Sequence, residues 1–274
     1  ASKGIDGVSA MSANHFSFKQ FTIQQEHCAM KVGTDGALLG AWASIEDAAT
    51  ILDVGTGTGL LALMAAQRNP NAFITAIDID PSAVRQAQEN IAASPFAERI
   101  TVRLEDFRLF SLPTKGYAPE QEVSSFDAIL CNPPFFVRAL HSPNALRTTA
   151  RHADALPLEG LARCAAALLT PQGTLSVVLP FDRRADMVGA CTTCSLRITR
   201  ETHVRTLPDK PPKRILLAFA FSMARPHFPK NPESSDIPEF SAYPTSPSTL
   251  TIESVPGQPT PAFKALLRDF YLKF

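Results

Sequence analysis

The sequence predicts a doubly wound α/β fold, a mostly parallel sheet with helices on both faces. Three observations carry that expectation. The apolar run Ile51-Leu52-Asp53-Val54 enters a turn with glycine at positions 55, 57 and 59, and a helical pattern starts at Leu60. A second run, Phe73 to Ile77, ends in the acid Asp78. A third, Phe126 to Cys131, stops at Asn132-Pro133-Pro134-Phe135. Strand, glycine turn and helix in that order form a nucleotide-binding unit, with ligand groups at the carboxyl ends of the strands.

The remaining elements follow in order. Residues 1–10 are mostly small and polar, Met11 follows them, and 1–15 are set aside as a disordered or appended start. Phe16 to Phe21 alternates weakly, and a short helix is expected from Thr34, capped by Thr34 or Asp35. Read from its residues alone, this segment is an arm covering a sheet edge. Its alternative role is that Gly33 and Thr34 let backbone approach a ligand. The glycine turn reads D-x-G-x-G-x-G. It lacks the last glycine of the dehydrogenase pattern, which favours a cofactor without a pyrophosphate. Asp78 is placed to take both hydroxyls of a ribose. Asp80-Pro81 reads instead as the cap and first residue of a helix burying Val84, Ala87 and Ile91.

Ile100, Val102 and Leu104 alternate in a third strand that ends at Asp106-Phe107. Asp106 can accept from an adenine amino group while Phe107 packs beside it; an ordinary polar loop is the other reading. Residues 111–125 read as surface loop. Residues 137–153 carry Arg138, Arg147, Arg151 and two histidines without an acid, which suits a phosphate-holding loop or a solvated basic one. Leu158 to Leu169 is a helix stopped at Pro171, and a fifth strand starts at Gly173. A helix at Arg183 to Cys194 and strands at Leu196 to Val204 and Arg214 to Ser222 follow, bringing the sheet to seven strands. Residues 225–261 are proline-rich, with one strand-like piece at Leu250 to Ile252. Phe263, Leu266, Leu267, Phe270 and Tyr271 share one face of a closing helix.

The chemistry is most legible at Asn132. Two prolines end the strand and fix the direction of the Asn132 side chain and the Pro133 carbonyl. Two acceptors held that way can bind both hydrogens of a planar amine. Its nitrogen then turns tetrahedral and aims a lone pair at an electrophilic methyl. Phe135 supplies a face for stacking. Other chemistries find little support. The lone Cys191-Thr192-Thr193-Cys194 has no second pair for zinc, so no metal is expected, and no Ser/His/Asp arrangement is visible. The formal net charge is zero over 274 residues, so contact with nucleic acid has to be a local patch. Five cysteines, no signal peptide and no membrane-length apolar run point to a reducing cytoplasm.

Asp53-Val54-Gly55-Thr56-Gly57-Thr58-Gly59 and Asn132-Pro133-Pro134-Phe135 resemble the first and the amino-methylating motifs of S-adenosylmethionine-dependent methyltransferases. The likeness extends to Phe18-Lys19-Gln20-Phe21, to the stretch from Cys28 through Ala43, to Ser94 through Ile100, to Arg214 through Phe219 and to Phe270-Tyr271-Leu272. Together these look like the bacterial tRNA(Val) adenosine-37 N6-methyltransferases. The resemblance covers most of Phe16 to Phe274, and related enzymes often have tyrosine where Phe135 stands. It implies methyl transfer from S-adenosylmethionine to the 6-amino group of the tRNA adenosine beside the anticodon, by a cytoplasmic monomer. It adds Gly33, Thr34, Asp53, Gly55, Gly57, Gly59 and Asn132 to Asp78, Asp106 and Phe107 as cofactor-binding residues. Asn132, Pro133, Pro134 and Phe135 become the catalytic set. The implied organisation is an arm at 16–46 contributing to the cofactor site, a methyltransferase domain at 47–224, and at 225–274 a proline-rich arm with a helix packed on that domain. Alternatives are amino-methylation of a protein glutamine or an rRNA base, and a non-catalytic RNA-binding module of the same fold.

Overall fold

The computed structural model describes residues 14–26, 32–110, 125–133, 157–222 and 246–274. Pro134, Phe135, Arg138, Arg147 and Arg151 lie outside them, as does the loop expected at 111–125 apart from Ser125. The chain begins with a small antiparallel pair, β1 (His15–Ser17) and β2 (Thr22–Gln24), followed by α1 (Thr34–Trp42). Alternating elements come next: β3 (Thr50–Val54), α2 (Leu60–Arg68), β4 (Phe73–Asp78), α3 (Pro81–Ala92), β5 (Ile100–Leu104), α4 (Phe107–Phe110) and β6 (Phe126–Cys131). Then come α5 (Leu158–Leu168), β7 (Leu169–Pro180), α6 (Arg184–Thr193), β8 (Leu196–Arg205) and β9 (Arg214–Phe221). The short strands β10 (Ser248–Thr251), β11 (Glu253–Val255) and β12 (Gln258–Pro259) lead to α7 (Pro261–Leu267).

The main sheet runs β10-β8-β9-β7-β6-β3-β4-β5. All its pairings are parallel except those of β9 with β7 and β8. The carboxyl ends of β3, β4, β5 and β6 therefore share one edge. Successive residues in the strands feed opposite cores, as period-two geometry requires. Ile51, Ala128 and Leu216 join α1, α2, α3 and α7 on one face, and Leu52, Ile129 and Leu217 join α5 and α6 on the other.

The doubly wound class and the seven expected strands are present, and the sheet has an eighth. β10 adds in parallel to β8, with Leu250 opposite Val204. Other differences have local causes. The cap of α1 is Gly33, in extended conformation, and neither Thr34 nor Asp35 makes a side-chain cap. Leu104 is 55% exposed at the end of β5, the edge strand, with no strand beyond it among the described residues. α5 ends at Leu168 and β7 begins at once, so Pro171 lies inside a strand rather than stopping a helix. The closing helix ends at Leu267, yet Phe263, Leu267, Phe270 and Tyr271 are all buried. Phe18 bridges to Tyr271, and Lys19 donates its N–H to the Phe270 carbonyl at 2.8 Å, so the first and last described segments close on each other.

Gly173 shows how tightly β6 and β7 meet. A Cβ placed there would stand 2.7 Å from the Phe126 carbonyl oxygen and 3.1 Å from the Thr170 nitrogen, both backbone. Gly173→Ala should therefore destabilise the fold by about 1–3 kcal/mol. Gly189, inside α6, has open space around its missing Cβ. Gly189→Ala should stabilise by about 0.5–1 kcal/mol through helix propensity. Urea unfolding of the two variants checks both signs.

Candidate active site

The glycine turn is built on a buried acid. Asp53 is 0% exposed and lies between β4 and β6, opposite Ala76 and Leu130. Its Oδ2 accepts from the Thr56 hydroxyl at 2.6 Å and the Ala62 N–H at 3.2 Å, while Oδ1 is buried without a partner. The chain must turn back sharply over this carboxylate. Gly55, Gly57 and Gly59 take φ of +70°, +55° and +85°, a region a side chain makes costly. Gly55 and Thr56 donate their N–H groups to the Ile77 carbonyl at 2.9 and 3.0 Å, which ties the turn to the end of β4.

Asp78 completes that tie. Its Oδ2 accepts from the Gly57 N–H at 2.9 Å and its Oδ1 from the Asp80 N–H at 3.0 Å. Each oxygen keeps a further acceptor position. Asp80 does what its sequence context predicts, capping α3 by accepting from the Ser82 N–H at 2.8 Å, with Pro81 as the first helical residue. Asn90 of α3 donates to the Thr58 and Gln24 carbonyls at 2.8 and 2.9 Å, joining the turn to the N-terminal pair.

A cavity of about 250 Å³ opens at this edge. Gly33 and Gly36, Gly55 to Thr58, Asp78, Asp106 and Phe107, and Asn132 and Pro133 line it together. Seven of the ten cofactor candidates thus meet at one place. Thr34, Asp53 and Gly59 do not reach the lining. Thr34 is exposed, Asp53 supports the turn from below, and Gly59 caps α2 with its missing Cβ 3.5 Å from Ala87. Gly36 was not among the candidates. A Cβ there would meet Leu60 at 3.1 Å and Asn132 Nδ2 at 3.6 Å, so its bareness lets α1 approach the reacting end of β6. The signal for it was small residues at Gly33, Gly36 and Gly40 along one helix.

Two ion pairs shape the rim. Arg108 grips Asp106 with Nε 3.0 Å from Oδ1 and Nη2 2.6 Å from Oδ2, and these bonds hold the carboxyl below its ordinary range. Arg214 Nε donates to Asp35 Oδ2 at 2.7 Å and anchors the start of α1. At the other end of α1, Trp42 donates from Nε1 to Thr202 Oγ1 at 2.9 Å. The Arg200 guanidinium lies 4.4 Å over its ring and donates to its carbonyl. Of the lone Cys191-x-x-Cys194 motif, Cys191 is fully buried in α6, and burial, with Cys194 nearby, pushes its thiol up to about 12.

The arrangement suits a small ligand lying along a glycine turn, with Asn132 and Pro133 at its end. The description "Methyltransferase small domain" matches residues 28–186. The chain is 44% identical to a protein of Parabacteroides distasonis, over 96% of this chain and 100% of that one. It is 49% identical to one of Phocaeicola vulgatus, over 76% and 85% of the two chains. It is also 38% identical to one of Tolumonas auensis, over 96% and 99%. All three are named tRNA1(Val) (adenine(37)-N6)-methyltransferase. Among solved structures, a predicted O-methyltransferase from Agrobacterium tumefaciens shares the fold. Its TM-score is 0.58 at 18% identity, over 86% of this chain and 96% of that one. The fold and the matched domain make this chain a methyltransferase. It belongs to the family of the tRNA1(Val) (adenine(37)-N6)-methyltransferases.

Asp53 gives a pH signature. Burial pushes its carboxyl up from 3.8 to about 7, with Asp78 adding to the rise and the Thr56 and Ala62 bonds opposing it. Between about pH 4 and pH 7 the folded chain holds a proton that the unfolded chain has lost. Stability contributed at low pH is therefore lost as pH rises across that window. Asp53→Asn should remove a decline of roughly 2–4 kcal/mol between pH 4 and pH 8. Urea unfolding at both pH values, wild type against variant, measures it.

Proposed function

We propose that this chain transfers a methyl group from S-adenosylmethionine to the exocyclic 6-amino group of an adenosine in tRNA, position 37 beside the anticodon of tRNA(Val). The observation that carries this is Asn132-Pro133 at the end of β6, lining the same cavity as the glycine turn and Asp78. The names of the relatives support the choice of tRNA and base.

The cavity fits the cofactor on two counts. Gly55 and Gly57 leave bare backbone at positive φ, and Asp78 keeps free acceptor positions. When bound, S-adenosylmethionine supplies an electrophilic methyl on a positively charged sulfur. Asp78 takes the ribose hydroxyls, Asp106 accepts from the adenine amino group, and Phe107 packs against the ring. Gly33 and Gly36 bring the N-terminal arm to the cofactor, so residues 16–46 act with the domain at 47–224. The Asn132 side-chain oxygen and the Pro133 carbonyl each hold one hydrogen of the substrate amine. That hold favours the tetrahedral nitrogen over the planar one, so it is stronger in the transition state than in the ground state. Pro134 fixes the Pro133 carbonyl, and Phe135 stacks on the adenine. Arg138, Arg147 and Arg151 contact phosphates. No metal is required, because positioning and fixed dipoles supply the catalysis.

Asn132→Ala should lower kcat by about 100-fold or more, by analogy with loss of one preorganised polar group. Its KM for tRNA and its affinity for cofactor should stay near wild type. Single-turnover methylation of tRNA lacking the modification decides this, and a wild-type rate at saturating tRNA would remove Asn132 from the reaction. Asp78→Ala should weaken S-adenosylmethionine binding by about 10- to 150-fold through loss of charge-assisted bonds of roughly 1.5–3 kcal/mol. Calorimetry on the folded variant reads that directly.

A further inference from the structure

We propose that the β8–β9 hairpin is a second RNA-binding surface, a rigid wall beside the cavity whose Lys210 and Lys213 hold backbone phosphates. This rests on the reading of RNA as substrate. The topology places the hairpin. β9 is antiparallel to both β7 and β8, so β8 runs in the same sense as β6 and ends at the same edge. Cys131 stands opposite Val177, and Arg214 opposite Pro180, three residues further along β7. The base of the hairpin thus lies about 10 Å beyond the end of β6 and about 10 Å to its side. Residues 206–213 continue past that level, on the far side of β6 from Asp78.

Charge is concentrated there. Within residues 205–214, Arg205, Lys210, Lys213 and Arg214 stand with one acid, Asp209; Glu201 lies further back on β8, and Glu253 donates its N–H to the Thr206 carbonyl at 2.9 Å. The arginines are committed to the fold. Arg205 donates to Thr251 Oγ1 at 2.9 Å and the Pro208 carbonyl at 2.7 Å, and Arg214 is held by Asp35. The lysines are not. Lys213 is exposed and forms no ion pair among the described residues. Lys210 meets Asp209 at 3.2 Å, with both side chains more than half exposed, and such a pair yields readily to a phosphate. Arg183 pairs with Asp186 at the start of α6, and Asp182 beside them leaves that corner one negative charge. Pro208, Pro211 and Pro212 stiffen the loop. The N–H groups of Lys210 and Lys213 are bound to the carbonyls of Leu207 and Val204 at 3.1 and 2.9 Å. The lysines are thus presented without a large ordering cost.

A base drawn into the cavity leaves its flanking phosphates at the mouth, and a chain with zero net charge must meet them with a local patch. The hairpin is such a patch on described residues. In sequence it is separate from the Arg138–Arg151 segment.

The test is the salt dependence of binding to unmodified tRNA(Val) transcript. It compares wild type, Lys210→Ala/Lys213→Ala and Lys210→Arg/Lys213→Arg. Two lost contacts should flatten log Kd against log salt by about 1.4–1.8. Wild type should then lose about 7- to 12-fold more affinity than the alanine variant between 50 and 200 mM salt. The arginine variant should keep the wild-type slope. KM for tRNA should rise in the alanine variant, with kcat, S-adenosylmethionine affinity and thermal midpoint unchanged. A wild-type slope in the alanine variant overturns the hairpin while leaving the tRNA methylation reading intact. Binding with the expected slope change but no methylation of the transcript supports the hairpin and overturns the substrate. A wild-type protein that neither binds nor methylates RNA overturns both.

Discussion

A carboxylate buried under a turn is the constraint on which the site depends. Asp53 sits between two parallel neighbours with no solvent, and its Oδ2 collects the Thr56 hydroxyl and the Ala62 N–H. Those two bonds come from opposite ends of the turn, so they dictate how tightly residues 55–61 close. The three positive φ values follow from that closure, and so does the bond from Gly57 to Asp78. The ends of β3 and β4 then behave as one rigid unit. An apolar residue at 53 would spare the desolvation cost and lose the unit. The raised pKa shows that the two bonds do not fully offset that cost. Stability is given up at the place where function needs fixed geometry, a common location for such a conflict.

What the sequence revealed was whatever short-range chemistry determines. The β3–turn–α2 unit, the Asp80 cap and the Asn132-Pro133 strand end each depend on residues within a few positions of each other. The errors fall where distant partners decide. Pro171 looks like a helix stop, but it lies in the part of β7 where the register with β6 shifts between Phe126 and Ala128. No ladder bond is needed from it there, so proline is tolerated inside the strand. The strand-like piece at Leu250 to Ile252 is a strand, β10, but it buries only Leu250 and nothing in its own pattern says that β8 takes it into the main sheet. Gly36 and the Asp35–Arg214 pair were illegible because α1 meets β6 and β9 only in three dimensions. Thr34 and Gly59 were placed beside the ligand by motif position alone. A motif marks the segment, and burial decides which of its atoms face the cavity.

Helix α1 shows how a peripheral segment becomes part of a site. Its sequence is apolar nearly all round, with six of nine residues buried, so propensity and amphipathicity say little about its direction. Direction comes from its ends. Arg214 takes Asp35 at the cavity end, while Thr202 and Arg200 take Trp42 at the other. Both anchors belong to β8 and β9, on the side of the sheet away from the glycine turn. The helix therefore spans the sheet and delivers Gly33 and Gly36 to a cavity built by other strands. The β8–β9 hairpin and the cavity wall are mechanically linked through this one helix.

Charge is sorted along the edge in a way that a zero net total conceals. The cavity lining holds Asp78, Asp80, Glu105 and Asp106 against one guanidinium, Arg108. Across β6, the hairpin holds two uncommitted lysines against Asp209. In the proposed reaction a cationic cofactor and a polyanionic substrate have to reach adjacent places without exchanging them. An acidic cavity lowers the energy of a positive sulfur and raises that of a phosphate entering beside it. A basic rim does the reverse. By strand spacing the two regions stand roughly 20 Å apart, beyond two Debye lengths at physiological salt, so each field acts chiefly on its own ligand. The base, which carries no charge, is the one part of the RNA that crosses from the basic rim to the acidic cavity without electrostatic penalty. Asn132 stands at that boundary.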